Sequence, residues 1–206
     1  VILPKHWTLQ YIYDKSRYVA FRWTHPHTPW FTPDAIDFLE NHLTRSHEGF
    51  EWGSGWSTLW LAKRLARLVS VEHDPKWSAR VSRQLLRNAQ HTAEVLLEQD
   101  ENSYIHVIER MSKKTLDLVI VDGLDSLRDR CALLALEYVK PGGLLLVDDI
   151  HRYLPSNSRS PKAIPQNGKP RTSLWQEFAN KVKDWDMVWT SSGVTDTAIW
   201  RSPKTH

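Results

Sequence analysis

With one cysteine in 206 residues, the chain can form no intramolecular disulfide, and no cysteine-based zinc site. Cys131 falls in an apolar helical pattern and reads as a small core residue. Long apolar runs are missing too: none approaches the ~18 residues that span a bilayer. The first residues lack the charged, apolar and small-residue sections of a signal peptide, which predicts a cytosolic (cytoplasmic) protein with no membrane partner, although the chain begins at Val1 rather than Met. Charge of one sign is scarce as well. Twenty-seven Lys and Arg against 24 Asp and Glu leave +3, too little to argue for a polyanion, so nucleic acid is disfavoured as a partner. Repeats and low-complexity tracts are absent. What is present is a composition able to fill a core, 41% hydrophobic with 11% aromatic, at a length that suits one domain.

Residues 1–31 mix aromatics and charges without a sustained period and predict a partly ordered arm or short strands, with Trp7, Tyr11, Tyr13, Trp23, Trp30, His25 and His27 available to cover a pocket. From residue 32 onward the pattern sharpens into the main domain, 32–206. Thr32 can N-cap and Pro33 suits the first helical position, with Ile36, Leu39 and Leu43 at helical spacing. Short apolar runs and amphipathic stretches then alternate: Gly49–Trp52, a helix over 57–67, Leu68–Glu72, a helix opened by Asp74-Pro75, Glu94–Gln99, a short helix over 103–110, and Leu116–Asp122. The last of these strands, LDLVIVD, is apolar almost throughout, as a strand covered on both faces must be. A helix over 127–140, ended by Pro141-Gly142-Gly143, precedes a strand over 144–147. The alternation predicts a doubly wound, Rossmann-like α/β fold with a mostly parallel seven-stranded sheet, helices on both faces, and a C-terminal antiparallel hairpin over 187–190 and 197–201. A basic, proline-rich loop at 151–171 interrupts this order, carrying Arg152, Arg159, Lys162, Lys169 and Arg171 with no acid. It lies where a lid or an acceptor contact would fit.

In open α/β sheets ligands sit beyond the carboxyl ends of the strands. After the first strand comes Glu51-Trp52-Gly53-Ser54-Gly55-Trp56-Ser57-Thr58, whose glycines allow a tight turn and close ligand approach before a helix N-terminus. Nineteen residues beyond Gly53 stands Glu72, placed to accept from ribose hydroxyls. A dinucleotide fingerprint would want a third glycine where Thr58 stands, and a carboxylate just before the glycines suits a cationic ligand. Asp122, Asp148 and Asp149 form a second constellation at two strand ends. Three converging carboxylates repel unless protonated or bridged, and oxygen-only ligands favour Mg²⁺ or Ca²⁺. The alternative is that Asp122 lines the cofactor pocket while Asp148-Asp149 cap a loop, with no metal.

The run E-x-G-x-G-x-S-T, VSVEHD, LDLVIVDG and KPGGLLLVDD resembles the class I S-adenosylmethionine-dependent methyltransferases, over about Trp30 to Ile150. The resemblance implies that Glu51, Gly53, Ser54, Gly55 and Ser57 cradle the methionine end, that Glu72 binds ribose with His73 adjacent, and that Asp100, Asn102 and Ser103 lie beside adenine, with Asp122 also lining the cofactor pocket. The acidic trio is similar to that of cation-dependent O-methyltransferases, with Asp149 in place of Asn pulling toward the sugar-modifying branch. It implies a metal site of Asp122, Asp148 and Asp149 for Mg²⁺. His151 is the first candidate for the catalytic base and Asp125 the second, with Asp122 helping to activate the acceptor. The expectation is methyl transfer to a hydroxyl of a small molecule, such as a sugar or another hydroxylated metabolite. Nitrogen or protein methylation and a noncatalytic S-adenosylmethionine-binding module are the competing readings. The oligomeric state stays open, a homodimer being compatible.

Overall fold

The computed structural model describes residues 8–204. Seven strands form one sheet: β1 (Glu48–Trp52), β2 (Arg67–Glu72), β3 (Ala93–Leu97), β4 (Leu116–Val121), β5 (Val139–Asp148), β8 (Asp186–Ser191) and β9 (Asp196–Arg201), the numbers β6 and β7 belonging to a two-residue pair described below. Their order is β3-β2-β1-β4-β5-β9-β8, with β9 antiparallel to both β5 and β8 and every other pair parallel. The doubly wound sheet and the closing hairpin expected from the sequence are therefore present. The order reverses between β1 and β4, the switch point at which such sheets open a crevice for ligands.

β4 is buried along its whole length, as its unalternated apolar sequence requires. One side of the sheet carries Trp52, Val119, Val121 and Val147 against α6 (Arg128–Ala135) and α7 (Ser173–Lys181), through Cys131, Ala132, Trp175 and Phe178. The other carries Leu118, Ile120, Leu146 and Ile199 against α2 (Pro33–His42), through Ile36 and Leu39. Cys131 is buried and free, in keeping with a packing role.

Four local expectations are revised. The segment predicted as arm or short strands forms a helix, α1 (Leu9–Thr24), capped by the Thr8 hydroxyl; Trp7 lies outside the described residues. α3 (Trp56–Leu61) stops short of residue 67, because the Ala66 amide is claimed by the His47 carbonyl as the chain enters β2. α6 ends at Ala135, and Pro141-Gly142-Gly143 belongs to β5, where Gly142 has φ +77° and the register against β4 shifts. Thr32 sits at the α2 N-cap without capping it: its hydroxyl meets that of Thr190, and its amide donates to Thr197 Oγ1 at 3.1 Å, tying α2 to the hairpin.

The basic loop is folded rather than loose. Pro155–Ser156 (β6) and Ile164–Pro165 (β7) pair in parallel, Tyr153 is buried and stacked on Trp175, and the Arg171 amide donates to Tyr153 O.

Candidate functional site

The strand ends bring the predicted donor residues together. α4 (Pro75–Arg87) follows β2 and is capped by Asp74. At the end of β1, Gly53 has φ +94°, and a Cβ there would lie 2.9 Å from the Asp122 carbonyl oxygen at the end of β4. Gly123 is just as constrained, since an added Cβ would overlap Tyr104 Oη. Two backbones thus approach with no room for side chains, the arrangement that lets a ligand reach main-chain groups.

Glu51 is completely buried beneath this turn. Its Oε2 accepts from Thr58 Oγ1 (2.7 Å) and Ser70 Oγ (2.8 Å), while Oε1 has no partner. Burial pushes its carboxyl up to about 7 despite these hydroxyls. An unpaired buried carboxylate oxygen is costly, and a ligand amine would relieve it.

Glu72 is buried at the end of β2 and is fully engaged in the free protein. Its Oε2 accepts from Ser54 N (3.1 Å) and Ser54 Oγ (2.8 Å), and its Oε1 from His73 N (2.8 Å) and Asp74 N (3.0 Å), with His73 Nδ1 also 2.9 Å away. A carboxylate offers about four lone-pair sites, so ribose hydroxyls would have to displace a donor, and the Ser54 hydroxyl is the one free to rotate. Asp100 caps α5 (Glu101–His106) through the Ser103 amide (2.8 Å), which holds its carboxyl below the usual range; Asn102 and Ser103 are exposed in the first turn.

The acidic constellation is organised around an arginine. Arg128, buried in the first turn of α6, donates to Gly123 O (2.9 Å), Asp122 O (3.1 Å), Asp122 Oδ1 (2.9 Å) and Asp148 O (2.9 Å). Asp148 is buried and accepts from Thr197 Oγ1 (2.6 Å). Asp149, in the left-handed region at φ 56°, accepts from Thr195 Oγ1 (2.7 Å) and Arg152 Nη1 (3.1 Å). Burial raises the carboxyls of Asp122 and Asp148, Asp149 adds to both by like-charge repulsion, and Arg128 opposes it. The predicted Mg²⁺ set does not fit this arrangement: each carboxylate is committed to an arginine or threonine, and among the described residues no three His, Cys, Asp or Glu side chains are grouped to hold an ion. Arg128 supplies the positive charge that a cation would have brought.

The predicted bases are differently placed. His151 is buried; its Nδ1 accepts from the Asp196 amide (3.3 Å) and its ring is hydrogen-bonded to the Pro161 backbone, which leaves it no lone pair for a reacting proton. Burial also lowers its pKa. Asp125 binds Tyr153 Oη (2.5 Å), Arg152 (3.1 Å) and Arg171 (2.9 Å); although burial pulls the other way, these hold its carboxyl below the ordinary range. The Asp122 side chain keeps 28% of its exposure, whereas Asp148 is closed off.

Three residues of this region escaped the sequence reading. Arg128 was detectable as one of two arginines at the start of an otherwise apolar helical pattern. Tyr104, buried with its hydroxyl unpartnered and 6.3 Å edge-to-face from His73, and Tyr18 on α1 carried no signal. The Tyr18 hydroxyl donates to Trp30 O (2.9 Å), and its pKa is pushed up to about 12 by burial and by Asp148, Asp149 and Asp122, so it stays a neutral donor. Tyr18 also lines a groove of about 1160 Å³ between α1, the 154–170 loop, the end of α7 and β8, whose apolar surface includes Leu154, Trp185, Met187 and Trp189.

Residues 50–150 match the family model described as a methyltransferase domain. No curated protein matches the chain significantly. Among solved structures, an O-methyltransferase from Bacillus cereus in complex with S-adenosylhomocysteine is 20% identical, with 99% of this chain and 94% of that one covered at a TM-score of 0.61. The O-methyltransferase TomG from Streptomyces achromogenes, in complex with S-adenosylmethionine, is 16% identical over 80% of this chain and 76% of its own (TM-score 0.58). An rRNA methylase from Streptococcus thermophilus is 12% identical over 82% and 93% (TM-score 0.58). At these identities the structural likeness concerns the fold.

Proposed function

The chain is a class I S-adenosylmethionine-dependent methyltransferase, and on that premise we propose that it methylates a hydroxyl oxygen of a small molecule without help from a divalent cation. When bound, S-adenosylmethionine supplies a methyl on a sulfonium centre, and the C–S electron pair leaves with sulfur as the acceptor oxygen takes the carbon. Glu51 Oε1 receives the donor's amino group beneath the Gly53–Gly55 turn, and Glu72 receives the ribose hydroxyls as Ser54 Oγ turns away. Ser57 supports the cradle, and His73, Asp100, Asn102 and Ser103 border the adenine side, beside Tyr104.

The single observation that supports an oxygen acceptor is Asp122: a partly open carboxylate whose proton affinity is raised by burial and which Arg128 fixes in orientation. A hydroxyl must lose its proton as it attacks, whereas a neutral amine attacks without prior deprotonation, so a poised carboxylate favours the former. Asp122 takes the hydroxyl proton, Arg128 keeps that carboxylate aimed, and alignment accounts for most of the acceleration. Asp148 and Asp149 hold the hairpin and the left-handed turn beside it. The acceptor, a sugar or other hydroxylated metabolite, binds at the open side of Asp122; Tyr18, near enough to feel the Asp122 charge, links that position to the groove, whose own lining does not include Asp122. Methyl transfer from S-adenosylmethionine to a panel of hydroxylated small molecules, run with EDTA, tests this. The expected result is turnover that survives EDTA and falls about 100-fold or more in Asp122→Asn, in line with loss of a general base. Activity that requires added Mg²⁺, or that is confined to amines, would overturn it.

A further inference from the structure

We propose that the outward face of α1 docks on an anionic lipid surface. Leu9, Ile12, Tyr13, Val19 and Trp23 fall on one side of this 16-residue helix at 100° per residue, and all are exposed, Leu9 at 87% and Trp23 at 82%. Trp30, also exposed, lies off this stripe, held by the Tyr18 hydroxyl on its carbonyl and the Arg22 guanidinium over its ring. The opposite side holds Asp14, which is buried, with Tyr18 and Phe21 partly so. Amphipathic helices of globular proteins turn their apolar stripe to the core. Here the stripe faces away from it.

Charge decides what covers the stripe. Lys15 and Arg17 border it on its two sides, and no acid stands on the exposed arc. Asp14, the only acid of the helix, is held inward by Gln10 Nε2 (2.9 Å) and Arg159 (3.4 Å). A second copy packed on the same face would set Lys15 and Arg17 against their own counterparts with no carboxylate of α1 to meet them, which opposes a two-fold contact. An anionic bilayer meets both features: apolar side chains enter the headgroup boundary, Tyr13 and Trp23 suit the interface, and the flanking cations reach the phosphates. At 1.5 Å per residue α1 would lie about 24 Å along the surface. Arg17, at the edge of the docking face, also lines the large groove.

Sedimentation of the full chain with phosphatidylcholine vesicles, with and without about one-third phosphatidylglycerol, tests the proposal. The expected result is binding to the anionic vesicles only, released at high ionic strength. Lys15→Glu with Arg17→Glu should weaken it about twentyfold or more, at about fivefold per lost cation, and Ile12→Ser with Trp23→Ser should do likewise. The midpoint of thermal unfolding, unchanged in both pairs, serves as the check that the fold is intact. No sedimentation with anionic vesicles, equal sedimentation with both, or a dimer in light scattering that Trp23→Ser dissolves in the absence of vesicle binding would each overturn it.

Discussion

At the ends of β1, β2 and β4 the site is held by backbone approach and by partners close in the chain, whereas at β5, β9 and β8 it is held by side chains drawn from distant segments. Gly53 meets Asp122 and Gly123 main chain directly, and Glu72 is gripped by Ser54, His73 and Asp74. On the other half, Thr197 binds Asp148, Thr195 binds Asp149, Thr32 binds Thr190 and Arg159 reaches across to Asp14, so that α1 and the 151–171 loop cover the hairpin. The first half makes a rigid seat for a group whose shape does not vary. The second is assembled from pieces that can change with the acceptor, as loops on a fixed scaffold do.

The comparison breaks most directly at Glu72. Replacing it by Ala should weaken S-adenosylhomocysteine binding about 100-fold by calorimetry, since two charge-assisted hydrogen bonds are lost and three amide donors are left unmet, with Glu72→Gln intermediate. Gly123→Ala comes next: pushing Tyr104 aside should cost about 1–3 kcal/mol in denaturant unfolding and blunt ligand binding as well. The pH dependence sharpens the role of Glu51. Its carboxyl stands near 7 in the fold against an ordinary 4.5, so the folded chain holds a proton that the unfolded chain releases, and stability of the free protein falls as pH rises between those values. A ligand amine selects the ionised form, so the rise in melting temperature on adding S-adenosylhomocysteine should be larger at about pH 8 than at about pH 6, and Glu51→Gln should flatten the difference. On the hairpin side, Asp14→Ala should cost about 1 kcal/mol while leaving S-adenosylhomocysteine affinity untouched, because its bonds to Gln10 and Arg159 and its packing on Gly193 serve only the covering layer. The smallest effect is expected at Ser54→Ala. Its hydroxyl occupies Glu72 only until ribose arrives, so affinity should stay within about threefold of the parent.

The same contrast governs what could be read in advance. LDLVIVD, the E-x-G-x-G turn and Glu72 after VSVE are local signals, and they located the parallel sheet and gathered the donor residues at one end. Arg128 ties Asp122 and Gly123, just before it in the chain, to the Asp148 carbonyl at the end of the next strand, and Tyr104 matters through Gly123 and His73 at two other strand ends, so the weight of each lies in contacts that no local pattern encodes. α1 was missed because Tyr11, Tyr18 and Phe21 on its other side blur the outward stripe of Leu9, Ile12, Tyr13, Val19 and Trp23, so that the apolar residues show no clear helical period in the sequence. His151 shows the same limit: its place after Asp148-Asp149 was visible, but the Asp196 amide that donates to its Nδ1 arrives 45 residues later. The carboxylate trio likewise suggested a cation until the buried guanidinium beside it was located.

The most direct test of the central claim is calorimetric titration of the purified chain with S-adenosylhomocysteine in EDTA, beside the Glu72→Ala variant. The account predicts one site of about micromolar affinity that EDTA does not alter and that the substitution weakens about 100-fold. Absence of binding in the parent chain, or equal affinity in the variant, would contradict it.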